Sequence, residues 1–183
     1  MTMTKKPNDM LLLAGKLLAL IMQGVLALVG ALLAICIPLI LFFQGSINDE
    51  LISKYGDALE AFPAMRIALL FAVIVAGFAL AFVFFGKLRR IINTVGEGDP
   101  FVPENAERLN LMGWLGLGIY ALTALLSVLA LGISDWAKAI EGTEINIDVG
   151  IDLQALLLIV ILFILARVFK HGTAMREDLE GTV

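Results

Sequence analysis

Four stretches of the chain, 18–43, 64–85, 111–133 and 151–169, are almost uninterrupted runs of apolar residues. Each is about the length that a helix needs to cross the hydrocarbon core of a bilayer, roughly 20 residues. Lipid offers the backbone no hydrogen bonds, so such a run must bond within itself, as a helix does. Of the 183 residues 60% are hydrophobic and 16% charged, and the mean hydropathy is +0.96. A soluble domain is about half apolar and a quarter charged, and a chain this apolar would aggregate in water. The expected fold is an all-α integral membrane protein, a four-transmembrane-helix bundle formed by residues 1–183 as a single membrane domain. Lys5 and Lys6 precede an apolar stretch that Lys16 and Gln23 alone interrupt between Met10 and Phe43. That is too long for the apolar region of a signal peptide, about 7–15 residues, so the first span is expected to be retained.

The basic residues orient the spans. With four crossings the termini and the middle loop share a side, which carries Lys5, Lys6, Lys16, Lys87, Arg89, Arg90, Arg108, Arg167, Lys170 and Arg176. The other side carries Lys54, Arg66 and Lys138. Ten of the 13 basic residues thus mark one side, which predicts N- and C-termini in the cytoplasm. The acidic residues Asp49, Glu50, Asp57, Glu60, Asp135, Glu141, Glu144, Asp148 and Asp152 fall outside. The net charge of −4 therefore conceals a polarised molecule and gives no support for direct nucleic-acid binding.

In the outer loops, Ile47, Leu51, Ile52, Tyr55, Leu59 and Phe62 recur at helical spacing, which predicts an amphipathic helix over 47–62. Ile145, Ile147, Val149, Ile151 and Leu153 alternate with polar residues instead, which predicts a short extended segment before the fourth span. Within the spans no ionisable residue sits near the centre, where one would mark an ion path or proton relay. Lys16, Arg66, Asp152 and Arg167 lie near span ends and can snorkel. Thr123 and Ser127 can satisfy their hydroxyls on their own helix. The single cysteine, Cys36, cannot form an intrachain disulfide, and with one histidine, His171, the chain has no imidazole or thiolate metal cluster. No catalytic, cofactor or metal site is expected. Small residues (Gly24, Gly30, Ala68, Ala72, Ala76, Gly113, Gly116, Gly118) offer close helix approach, within the chain or between copies.

Two segments on the basic side stand out. The hairpin, 86–110, holds Gly96-Glu97-Gly98-Asp99-Pro100-Phe101, where the second helix should end in a sharp turn after about Val95. Pro103 suits the first position of the next helix, with Glu104 and Glu107 complementing its dipole. The turn lacks the lysine and the serine or threonine of a phosphate loop and carries two acids instead, which excludes that reading. Lys87, Arg89 and Arg90 are expected to face anionic headgroups. The tail, 170–183, should continue the fourth helix to about Leu179, with Gly172 as its weak point and His171 at headgroup level. The tail would lie beside the hairpin, where the two could pack together.

The turn sequence with Asn105, Arg108-Leu109 and Gly113-Trp114, together with the ending Arg176-Glu177-Asp178-Leu179-Glu180-Gly181-Thr182-Val183, resembles a bacterial four-span family catalogued as a domain of unknown function (YoaS-like). The resemblance implies four spans and no established chemistry. Genes of that family often neighbour a small helix-turn-helix transcription regulator, which implies a membrane partner that holds or releases a regulator through hairpin and tail.

Two functional readings follow. In the first, the chain is a non-enzymatic multi-pass protein of the inner membrane, a tether or sensor for a cytoplasmic helix-turn-helix regulator, with Phe101, Asn105, Arg108 and Arg176 as partner contacts. The plainer account of each of those residues is that it only shapes the hairpin. In the second, the chain is a small transporter, channel or lipid-binding bundle, with a cavity between spans one, three and four.

Overall fold

A computed structural model describes residues 10–56, 61–138 and 152–180. Its regular elements are four helices: α1 Met10–Tyr55, α2 Ala64–Gly96, α3 Pro103–Lys138 and α4 Leu153–Glu180. Among the described residues there is no strand. Each helix is long and apolar enough to cross a membrane. Large apolar side chains such as Leu28, Phe42, Val128 and Leu157 are more than half exposed. Faces of that kind require lipid rather than water around them.

The sequence explains where the helices stop. α1 contains Pro38 and runs 46 residues, since the bonds that a proline removes are tolerated within apolar spans. It ends at Gly56, whose φ of +84° suits a residue without a Cβ. The Gly56 amide there donates to the Ile52 carbonyl at 2.8 Å. The amphipathic helix expected over 47–62 is, as far as Tyr55, simply the last turns of α1, because Gly45 alone does not break the helix; residues 61–63 are not helical. Most of the extended segment expected before the fourth span, 145–151, lies outside the described residues, and Leu153 already belongs to α4.

By contact the chain divides into two compact units. The first comprises the described residues up to Val25, Ala81–Leu117 and those from Leu153 onward. Its core is Ile91, Leu109, Met112, Leu162 and Ala166, with Phe84, Leu88, Val95 and Phe169 packed against them. Gln23 is buried and its amide donates to the Phe82 carbonyl at 3.1 Å. Gly86 leaves room for it, since a Cβ there would meet the Gln23 amide nitrogen at 3.0 Å. A polar group in a bundle is thereby satisfied by a neighbouring helix.

The second unit comprises Leu26–Leu80 and the described part of Gly118–Asp152. Gly118 admits Leu80 at 3.2 Å and Gly30 takes Phe78 at 3.8 Å. Ala68 is buried, whereas Ala72 and Ala76 are exposed, so the spacing of four does not mark one packed seam. Arg66 donates to the Gly132 carbonyl at 2.9 Å, and Phe62 meets Trp136 edge to face at 5.6 Å. The Thr123 and Ser127 hydroxyls donate to the Tyr120 and Thr123 carbonyls of their own helix.

Candidate functional site

The polar structure of the first unit concentrates where the α2–α3 turn meets the end of α4. α2 ends in a tight cap: the Gly98 amide donates to the Val95 carbonyl and the Asp99 amide to the Thr94 carbonyl, both at 3.0 Å. This double bond pattern needs a left-handed residue between, and Gly98 supplies it with φ +89°. Pro103 opens α3 at its first position, where a missing N–H costs nothing.

Asn105 closes this turn from within. It is 0% exposed. Its Nδ2 donates to Thr94 Oγ1 at 2.7 Å and to the Pro100 carbonyl at 2.9 Å, while its Oδ1 accepts from Arg108 Nη1 at 2.7 Å. The Thr94 hydroxyl in turn donates to the Ile91 carbonyl at 2.8 Å. Both donors and the acceptor of the amide are thus used, which a buried asparagine requires.

α4 docks on the outside of this turn. The Phe101 ring lies on the backbone of Gly172, where a Cβ would stand 2.7 Å from the ring. The same ring packs on Phe169 with centroids 5.3 Å apart. The Thr173 hydroxyl donates to the Phe169 carbonyl at 2.9 Å and reaches the Phe101 carbonyl at 3.3 Å. Arg176 pairs with Asp99, both side chains being more than two-fifths exposed. Deeper in the unit, α3 and α4 approach closely at two glycines. A Cβ at Gly113 would meet the Phe163 ring at 2.8 Å, and one at Gly116 would meet Ile159 at 3.1 Å. Phe163 also stacks edge to face with Trp114 at 5.5 Å.

The four residues singled out in the sequence therefore converge on one junction, in different roles. Phe101 and Arg176 bind the tail to the turn and remain partly exposed. Asn105 is buried and, with the half-buried Arg108 donating to it, holds the turn's shape. Sequence reasoning did not single out Thr94 and Thr173, and it took Gly172 for a helix weakness. The residue carries no side chain because an aromatic ring occupies that space; the signal was Phe101 at a turn tip beside a helix with one interior glycine. Asp99, one of the two acids of the turn, is paired with Arg176.

Searches of curated proteins and of solved structures found no match to the chain. The family described as "Protein of unknown function (DUF2975)" matches residues 27–183, which include the hairpin, the tail and every residue of this junction, and the chain belongs to that family.

Proposed function

We propose that the protein is a non-enzymatic multi-pass component of a bacterial inner membrane, and that the junction of hairpin and tail is a cytoplasmic docking platform for a helix-turn-helix transcription regulator. The observation that carries this reading is the seating of α4 on the turn through Phe101, Gly172 and Thr173, with Arg176 paired to Asp99. Two segments far apart in the chain are built into one surface beyond the apolar runs. The bias of ten among 13 basic residues supports a cytoplasmic position for it. The YoaS-like kinship and the regulator as partner rest on the sequence resemblance alone. Exposed edges of Phe101 and Arg176 are the partner contacts, and Asn105 with Arg108 act by shaping the turn.

Affinity purification from the host in a gentle detergent, followed by mass spectrometry, tests the proposal. A small DNA-binding protein should co-elute and be lost with F101A/R176A, while N105A weakens its capture by deforming the turn. Elution of the protein without such a partner, or retention of the partner by F101A/R176A, would refute the platform.

A further inference from the structure

Between the first turns of α3 and the last turns of α4 the first unit carries an open groove of about 880 Å³. It exists because the facing residues are short, Ala106 on α3 and Ala166 with Ala174 on α4. At one end it is apolar, lined by Val160 and Ile164, both about half exposed. One turn further, where the apolar run of α4 gives way to charge, stand Arg167 and Lys170. Opposite them on α3 is Glu107, and Glu177 lines the groove's far end. All four charged side chains are exposed, and the structure gives none of them a hydrogen bond or ion pair with a described residue.

The order along the groove is thus hydrocarbon, then two cations with Glu107 facing them, then Glu177 at the far end. A phospholipid whose headgroup carries both a phosphate and a primary amine has the complementary order: acyl chain, phosphate, ammonium. We propose that this groove is a site for such a lipid, of the phosphatidylethanolamine class, drawn from the surrounding bilayer. Arg167 and Lys170 hold the phosphate, through the guanidinium fork and a mobile ammonium respectively. Glu107 and Glu177 accept the amine, and the acyl chain lies along Val160 and Ile164. A purely anionic headgroup would leave both carboxylates against negative charge, and a choline headgroup has no N–H to donate to them. The charge order favours a lipid over a protein helix because it runs in register with the edge of the apolar belt. The inference goes beyond the regulator platform and stands without it.

The test is native mass spectrometry of the full-length protein, delipidated in detergent and titrated separately with phosphatidylethanolamine, phosphatidylglycerol and phosphatidylcholine. The wild type should hold phosphatidylethanolamine most tightly. R167Q/K170Q should weaken that adduct about thirtyfold, the scale set by two interfacial charges. E107Q/E177Q should lower phosphatidylethanolamine to the level of phosphatidylglycerol, whereas K16Q, a basic residue outside the groove, should change nothing. Equal retention of the three lipids, tighter binding of phosphatidylglycerol, or an adduct indifferent to R167Q/K170Q would each overturn the site. If R167Q/K170Q fails to fold, E107Q/E177Q alone decides by its selectivity. Loss of a co-eluting protein in these variants, with lipid adducts unchanged, would put a protein in the groove and overturn the lipid assignment. Loss of the lipid adduct with the partner retained leaves the platform intact, so the two proposals fail separately.

Discussion

At the scale of single residues, burial decides which contacts matter. Asn105 has no contact with solvent and joins Thr94, Pro100 and Arg108. N105A leaves these partners unpaired, which costs about 2–3 kcal/mol. Thermal unfolding in detergent should show a melting temperature lowered by roughly 5–10 °C; an unchanged value would mean that water replaces the amide without loss. The exposed Arg176–Asp99 pair is worth at most about 1 kcal/mol, so R176Q should barely move the melting temperature. Gly172 offers a test by sign. In a free helix G172A stabilises by about 1 kcal/mol, but here the new methyl collides with the Phe101 ring. G172A should therefore destabilise the wild type and stabilise F101A, and stabilisation in both backgrounds would show that the ring is not seated. Packing of the tail on the hairpin was expected, but the partners within it were not legible locally. The helical continuation past Gly172 was expected, but its contact with Phe101 links positions 71 residues apart in sequence, which periodicity cannot see.

At the scale of elements, the helix ends were the most legible feature. The turn after Val95 and the start at Pro103 follow from glycine and proline chemistry, and the structure ends α2 at Gly96 and opens α3 at Pro103. α1 was less legible, because nothing in its outer amphipathic pattern reveals whether it bends away from the span or continues it. Its 46 residues amount to a helical rise of roughly 70 Å in total, more than twice the hydrocarbon thickness of about 30 Å. The α3–α4 seam rests on Gly113 and Gly116. G113L would push Phe163 out and should cost about 1–3 kcal/mol. The melting temperature should report the separation, and a variant with native stability would show that the seam tolerates a side chain.

At the scale of the whole molecule, the distribution of charge makes a claim that labelling can check. In a C36S background, a cysteine placed at Lys54 should react in intact cells with a membrane-impermeant maleimide, and one placed at Arg90 should react only after permeabilisation. The reverse pattern would invert the topology and remove the platform from the cytoplasm. The four spans were readable because their signal is carried by every residue of a run, whereas the junction depends on a handful of side chains meeting at one register. That register has a mechanical consequence. Phe163 projects from α4 into the notch at Gly113, and Phe101 projects from the turn into the notch at Gly172. The two notches are cut in opposite partners, so shifting α4 lengthwise by one residue, about 1.5 Å, unseats both rings at once. α4 behaves as a keyed shaft rather than a sliding one, and a pull on its far end arrives at the turn as displacement instead of being lost as slip.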